Sequence, residues 1–263
     1  MKKKIALALA AMLMLAGCSA GDNTPSAPET TAPTQPAPPK LLLAQETTVV
    51  DEETTEKTYS YDVDGTCTGW VETVNGEVTV TVAYRYDDQG REVSRTELWN
   101  DTERVIQSRY DENGLLISEV LYQDSAEYLK HSFTYDQQNN LLTHTELNIQ
   151  TGNTRVTRNT YENGLLMLQV VTNDGEERQR SEFTYDDAGR VKTCRTHLMG
   201  SFTTSSYEYM GQIETCVVTD SAGEILNTKV IHRDNGGNPA TEVVTNANGE
   251  TLSTKTYIWQ PLE

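Results

Sequence analysis

The chain has little positive charge. Its 21 Lys and Arg residues stand against 39 Asp and Glu residues, which gives a formal net charge of −18. Nucleic acids and anionic lipid surfaces bind basic proteins, so this negative charge argues against both as partners of the chain. Apolar residues are also scarce at 36%. This content is low for a compact globule of 263 residues and favours a sheet with one solvated face.

The chain also has no apolar run long enough to span a bilayer, because residues 5–15 are too few. They follow three lysines and precede small residues, the arrangement of a cleaved export signal. The tetrapeptide Leu15-Ala16-Gly17-Cys18 resembles the lipobox of bacterial lipoproteins. That resemblance implies a signal peptide at 1–17, lipidation of Cys18, and anchoring to the bacterial cell membrane or outer membrane. Loss of the three lysines takes the net charge from −18 to −21.

The segment that follows Cys18 lacks the composition to bury a core. It holds six of the eight prolines among Ser, Thr, Ala and Gln residues, and it favours an extended, partly polyproline conformation. We therefore predict a lipidated cysteine and tether at 18–44 and an ordered domain at 45–263.

The chain lacks a recognisable catalytic or metal constellation. Its four histidines, at positions 131, 144, 197 and 232, fall in different parts of the chain and show no zinc-ligand spacing. Asp62-x-Asp64-Gly65 and Asp87-Asp88 match fragments of calcium loops, but the full twelve-residue ligand pattern is missing. We predict no enzyme activity, no cofactor and no metal site.

What the chain does have is a repeat. The hexapeptide Tyr185-Asp186-Asp187-Ala188-Gly189-Arg190 recurs in variant form at a spacing of 24 to 26 residues, a period that indicates a repeat architecture. The anchor positions are 61, 86, 110, 135, 161, 185, 209, 233 and 257. The predicted structural residues of these turns are Tyr61, Asp62, Gly65, Tyr86, Asp87, Gly90, Tyr110, Asp111, Gly114, Tyr135, Asp136, Tyr161, Gly164, Tyr185, Asp186, Gly189 and Tyr209.

Each repeat reads as a β-hairpin. Aromatic residues at the anchor and two positions before it, such as Tyr84 and Tyr86, project from one face of a strand. The following Asp accepts hydrogen bonds from backbone N–H groups of the turn, and Gly tolerates positive φ. A second turn lies halfway to the next anchor, and Asn75-Gly76 and Asp174-Gly175 are strong hairpin signals there.

The predicted fold is all-β: an antiparallel hairpin repeat of about 24 residues that forms a meander of about 17 strands. Open twisted sheets rarely exceed about 10 strands without curling, so we expect a curled or spiralling sheet with its tyrosine face inside. A flat single-layer sheet is the second alternative. A two-sheet sandwich or a closed barrel is the third.

The Tyr-Asp-x-x-Gly-Arg copies at Tyr86 and Tyr185, together with the degenerate copies, resemble RHS/YD repeats over about 200 residues. Members of that family build spiralling β-hairpin sheets. Some form shells around toxins, and others sit on cell surfaces, where carbohydrate or neighbouring cells are their proposed ligands. This chain has no toxin-like domain after the repeats, so the resemblance implies a surface role rather than encapsulation.

Two function classes follow. The first is a lipid-anchored binding or adhesion module with a glycan or envelope-protein ligand, and the second is a non-catalytic spacer or envelope scaffold. Trp70, Trp99 and Trp259 can stack on sugar rings if they are exposed, although core packing is the commoner use of such residues. An exposed aromatic patch favours binding.

The positions of the cysteines test whether the sheet is a meander. Cys67, Cys194 and Cys216 remain after Cys18 is lipidated. Cys194 and Cys216 occupy equivalent repeat positions, which a meander separates by one strand, beyond reach of a disulfide. We therefore predict three free thiols.

Overall fold

The fold consists entirely of β-strands in the computed structural model, which describes residues 41–100 and 102–262. The predicted signal peptide, Cys18 and most of the predicted tether lie outside the described residues. No helix in the described ranges is long and apolar enough to cross a membrane. The strands are β1 (Leu41–Val50), β2 (Glu53–Tyr61), β3 (Cys67–Val74), β4 (Glu77–Tyr86), β5 (Glu92–Trp99), β6 (Thr102–Tyr110), β7 (Leu116–Gln123), β8 (Ala126–Tyr135), β9 (Leu141–Asn148), β10 (Thr154–Glu162), β11 (Leu165–Asn173), β12 (Glu176–Tyr185), β13 (Val191–Leu198), β14 (Ser201–Met210), β15 (Ile213–Thr219), β16 (Ile225–Arg233), β17 (Pro239–Asn246) and β18 (Thr251–Pro261).

The sheet closes on itself. Each strand pairs antiparallel with the next, and β1 pairs with both β2 and β18, so that Leu43 lies opposite Trp259. The antiparallel hairpin meander is confirmed, and its 18 strands are close to the predicted 17. The sheet does not spiral, because it closes into a barrel, which was the third alternative. The missing strand is β1, whose first residues from Leu41 were assigned to the tether. By pairing with β18 it removes both exposed edges.

The two faces of the wall differ in composition. In β4, Val80, Val82, Tyr84 and Tyr86 alternate with exposed Thr81, Ala83 and Arg85. The tyrosine-bearing face is the inner wall, because its side chains are the more buried ones and a concave face shields side chains from solvent more than a convex face does. Among the described residues it carries buried Val82, Ile106, Ser108, Asn159, Leu166, Val171, Ser181 and Cys216, whereas the buried residues of the outer wall are Leu42, Gly69 and Thr172.

The barrel wall is a single layer. Within the described part of the chain, each strand approaches only the two strands to which it is hydrogen-bonded. Six apolar residues are buried, whereas a sandwich of this size would bury a continuous core between its two sheets. Most inner side chains are half-exposed.

The two ends of the barrel are built from different turns. The turns that follow the anchor residues, including residues 62–66, 87–91 and 186–190, form one end, which we call the turn rim. The turns halfway through each repeat, including 75–76, 174–175 and 199–200, form the other end, the hairpin rim. A register shift beside most anchors, such as that between Arg85 and Tyr86, bends the strand into its turn.

Candidate functional site: the inner wall of the barrel

The turn rim is held by its aspartates. Asp186 Oδ1 accepts hydrogen bonds from the backbone N–H groups of Ala188 at 3.0 Å and Arg190 at 2.9 Å. The Arg190 side chain donates to Asp186 Oδ2 at 2.8 Å, and Gly189 has a φ of 75°. The carboxylates of Asp62, Asp87, Asp111, Asp136 and Asp234 accept the same pair of backbone bonds. The predicted turn glycines Gly65, Gly90, Gly114 and Gly164 also have positive φ, and Asn139 takes that place after Asp136.

The anchor tyrosines form a ladder of hydrogen bonds just inside the turn rim. The Tyr86 hydroxyl donates to the backbone oxygen of Cys67 at 2.7 Å, and Cys67 is the residue paired with Tyr61. Each later tyrosine likewise donates to the residue paired with the preceding anchor, at 2.6 to 3.2 Å. These donors are Tyr110, Tyr135, Tyr161, Tyr185 and Tyr209, and their acceptors are Glu92, Leu116, Leu141, Leu166 and Val191.

The tyrosine ladder closes around the barrel through two anchors that are not tyrosines. Arg233 donates to the Glu214 carboxylate at 3.0 Å. Trp259 donates from Nε1 to the backbone oxygen of Pro239 at 2.7 Å. Tyr61 then donates to Leu43 at 2.8 Å, and Leu43 is paired with Trp259. The ninth anchor is therefore Trp259, whereas the 24-residue period placed it at Tyr257.

Burial keeps these hydroxyls protonated. It raises the pKa of Tyr86 to about 12, with further repulsion from Cys67 and Glu92. It also raises the pKa of Tyr185 above its usual value. The ladder tyrosines therefore act as donors throughout the physiological pH range.

One part of the inner wall, the aromatic sector, concentrates five aromatic side chains on adjacent strands: Tyr59, Tyr61, Trp70, Tyr84 and Tyr86. Trp70 donates from Nε1 to the Tyr84 hydroxyl at 3.1 Å, and the Tyr84 and Tyr86 ring centroids lie 6.2 Å apart. All five side chains are half-exposed. The sector therefore offers ring surface and hydroxyl groups to anything inside the barrel.

Charged groups flank the aromatic sector. Lys57 Nζ lies 3.9 Å from the centroid of the Trp70 ring, and Lys255 Nζ pairs with Glu46 at 3.0 Å. On the other side, Arg95 forms ion pairs with Glu92 at 3.1 Å, Glu97 at 3.0 Å and Glu119 at 3.6 Å. Carboxylate oxygens and cationic hydrogen-bond donors thus line the same wall as the rings.

The remaining tryptophan, Trp99, lies at the hairpin rim and is 48% exposed. The Arg104 guanidinium lies 5.4 Å from its ring centroid. Trp70 and Trp259 have their indole N–H groups bonded inside the wall. The three tryptophans therefore do not form one patch.

The histidines separate into two kinds. His131 on β8 and His144 on β9 meet on the inner wall, with Nδ1 of His131 2.8 Å from Nε2 of His144. His197 and His232 lie on the outer wall, because their cross-strand partners are Arg180 and Thr241. The sequence interpretation placed the four histidines in different parts of the chain, but strand pairing brings the first two together. Register explains the meeting: His131 is paired with Glu146 and His144 with Phe133, which makes the histidines diagonal neighbours.

The three described cysteines are free. Cys194 is paired with Phe183 and Cys216 with Tyr207, so the two thiols occupy equivalent positions with β14 between them. Burial raises the pKa of both thiols. Both therefore remain protonated, unreactive residues of the inner wall.

Comparisons with known proteins find likeness in structure only. No family model matches the chain, and no curated protein matches it. A porin-like protein from Bacteroides uniformis is similar at a TM-score of 0.46 and 13% identity, covering 83% of this chain and 96% of that one. A porin-like protein from Bacteroides vulgatus follows at a TM-score of 0.39 and 13% identity, covering 83% and 98%.

The RHS/YD resemblance has a weak structural counterpart. A chain of the TcdB2-TccC3-Cdc42 complex is similar at a TM-score of 0.31 and 12% identity, and 82% of this chain corresponds to 18% of that one. All three likenesses have TM-scores below 0.5, so neither family nor function follows from them.

Proposed function

We propose that the chain is an exported, lipid-anchored envelope protein whose barrel binds an extended carbohydrate against its inner wall. The observation that carries this proposal is the aromatic sector. Sugar-binding sites need ring faces for the C–H surface of a sugar, and they need charged or hydroxyl groups for its hydroxyls. In the aromatic sector Tyr59 and Tyr84 supply rings, and Glu46 and Lys57 supply polar groups near them.

The size of the barrel supports an internal ligand. Eighteen strands at a spacing of about 4.8 Å form a circular ring with a backbone radius of roughly 14 Å, and strand tilt widens it further. Side chains reaching inward from such a wall leave an aqueous interior, as they do in other barrels of this strand number. A single extended polymer chain fits such a space.

The composition of the outer wall favours a barrel surrounded by water rather than by lipid. Arg85, Arg109, Arg158, Glu182 and Arg195 all project outward and are exposed. A lipid-facing strand surface is apolar, and an Arg at the bilayer midplane costs about 2–4 kcal/mol. In our proposal, membrane attachment comes from the lipid on Cys18, and the barrel is held away from the membrane by the tether.

Lipid anchoring through Cys18 is tested separately from carbohydrate binding. We expect mass spectrometry of the membrane fraction to find a mature chain that begins at an acylated Cys18, and we expect Cys18→Ala to release the protein. Stable attachment needs more than one acyl chain, because a single chain binds only marginally. An unmodified N-terminus, or a Cys18→Ala protein retained on the membrane, contradicts this part of the proposal.

The ligand is tested with matched variants. Tyr84 and Phe183 hold the same place in their repeats, two residues before the anchors Tyr86 and Tyr185, but only Tyr84 belongs to the aromatic sector. We expect Tyr84→Ala to lower binding to a glycan array or to purified cell-wall polysaccharide by roughly tenfold. Phe183→Ala should leave binding within about twofold of wild type, since it removes a similar ring elsewhere. Equal losses in the two variants would count against the aromatic sector.

A spacer without a ligand is the second candidate, and one observation favours it. Several rings are already covered by cations of the chain itself: Arg91 lies 4.9 Å from the centroid of Tyr110, and Arg190 lies 4.3 Å from that of Tyr209. Rings used in this way stabilise the wall. Failure of the wild-type protein to bind any glycan or cell-wall fraction would select this function.

A further inference from the structure

We propose that His131 and His144 form a binding site for a first-row divalent metal ion of the Zn²⁺ and Cu²⁺ type on the inner wall. Imidazole nitrogen is a preferred ligand of both ions. The two rings meet through Nδ1 of His131 and Nε2 of His144, 2.8 Å apart. This site is independent of the carbohydrate proposal and lies on β8 and β9, away from the aromatic sector.

The ring positions suit one ion. A tetrahedral ion with Zn–N bonds of about 2.0–2.1 Å holds two nitrogens roughly 3.3 Å apart. The rings now meet end to end, so both must tilt for their nitrogens to converge on the ion at that distance. The hydrogen on the donating nitrogen moves to the other nitrogen of its own ring, so both imidazoles stay neutral and each presents a lone pair to the ion.

Packing holds the rings near this geometry. Phe133 stacks on His144 with centroids 4.7 Å apart and an interplanar angle of 10°. The two imidazoles meet end to end and nearly in one plane, with centroids 5.1 Å apart and an interplanar angle of 24°. A ring held on one face by an aromatic neighbour loses less conformational freedom when it binds an ion.

Carboxylates lie on both sides of His131. Its directly paired residues are Glu119 on β7 and Glu146 on β9. Glu119 is already engaged, since it accepts a hydrogen bond from Ser108 at 3.3 Å and pairs with Arg95. Glu146 is the better third ligand, and its cross-strand partner on β10 is Arg155.

The site is not fully preassembled. The described residues hold no group of three or more His, Cys, Asp or Glu side chains arranged to hold a metal ion. The two histidines therefore provide the fixed ligands, and a rotated Glu146 or water from the barrel interior completes the coordination.

Calorimetric titration of metal-free full-length protein with Zn²⁺ tests the site. We expect one equivalent to bind and His144→Gln to weaken the affinity by roughly tenfold or more. The double variant His197→Gln/His232→Gln is the matched control, because it removes two histidines of the outer wall, and its affinity should equal that of wild type. Thermal melts of all variants without metal should coincide, which separates loss of a ligand from loss of folding.

Cu²⁺ electron paramagnetic resonance supplies a second readout that uses the wild-type protein. We expect hyperfine coupling from two imidazole nitrogens, reduced to one in His131→Gln. Two results would overturn the site: no Zn²⁺ binding by wild type, or binding that survives His144→Gln unchanged, as binding by rim carboxylates would. If His144→Gln fails to fold, the His131→Gln titration and the wild-type spectrum decide the question.

Discussion

The turn rim and the hairpin rim close the same strands in different ways. At the turn rim one loop held by an aspartate recurs in most repeats, whereas Asn163-Gly164 and Gly211-Gln212 are shorter turns without one. In most repeats an anchor tyrosine also bonds to the neighbouring hairpin. The hairpin rim holds one loop of the same kind, in which Asp220 Oδ1 accepts from the backbone N–H groups of Ala222 and Glu224. At the hairpin rim the loops vary in length and sequence. This rim also carries most of the exposed large apolar side chains: Val49, Val50, Val78, Leu98, Trp99, Ile149, Leu198, Met199, Ile225, Leu226 and Leu252.

The difference shows where the repeat is under structural constraint. Turns at both rims return the chain in register, but most turn-rim loops are also fixed by a carboxylate that accepts two backbone hydrogen bonds, as Asp186 does. The hairpin rim only joins the two strands of one hairpin, which several turn types do equally well. Substitutions should therefore cost more at the turn rim.

The largest effect is expected at Gly189. Its φ of 75° is unfavourable for a β-branched residue, and a Cβ added there meets nothing within 4 Å, so the cost is backbone strain alone. Gly189→Val should lower the free energy of unfolding by about 1–2 kcal/mol in denaturant titration. Gly189→Asn should cost much less, because Asn139 occupies the same place with a φ of 65°. Equal losses in the two variants would contradict the strain argument.

The next effect is expected in the tyrosine ladder. Tyr185→Phe removes a 2.6 Å hydrogen bond to the backbone oxygen of Leu166 and should cost about 1 kcal/mol. Tyr128→Phe, towards the hairpin rim, should change stability by less than about 0.5 kcal/mol. Chemical denaturation of both variants checks the difference. A Tyr185→Phe protein as stable as wild type would mean that the ladder does not stabilise the barrel.

A smaller effect of opposite sign is expected at the hairpin rim. Met199 and Gly200 form a two-residue turn with φ of 47° and 86°, and Asn-Gly is the preferred pair for such a turn. Met199→Asn should therefore stabilise the protein by about 0.5 kcal/mol. Thermal and denaturant unfolding measure the change, and a loss of stability would show that Met199 makes a contact that outweighs its strain.

The smallest effect is expected on acidification, because the turn carboxylates are exposed. Hydrogen bonds from Arg190 lower the pKa of Asp186 below its ordinary value of 3.8, and those from Asn140 do the same for Asp136. A lowered folded pKa gives stability that is present above the unfolded value and is lost as pH falls through the folded one. Below about pH 4, amide exchange should accelerate at the turn rim before the hairpin rim. The reverse order would contradict the role of the aspartates.

Much of this molecule could be read from local sequence. The Asp–Gly turn chemistry and the alternation of Val80 to Tyr86 each depend on residues within one repeat, so the hairpins and their inward tyrosines were predictable. The substitution of Trp259 for a tyrosine was harder to see, because its equivalence rests on the bond to Pro239 in the neighbouring hairpin. The meeting of His131 and His144 depends on register across β8 and β9, and aligning these strands about their turn would have revealed it.

The sequence by itself determined the repeat, the turns and the face on which each tyrosine lies, since these follow from interactions spanning about 25 residues. Closure was decided only by the tertiary structure. Whether β1 meets β18 depends on the curvature summed over all nine hairpins and on a pairing between residues more than 200 positions apart, such as Leu43 and Trp259. No single repeat encodes that sum, because each contributes only a small share of the curvature that brings the two ends together.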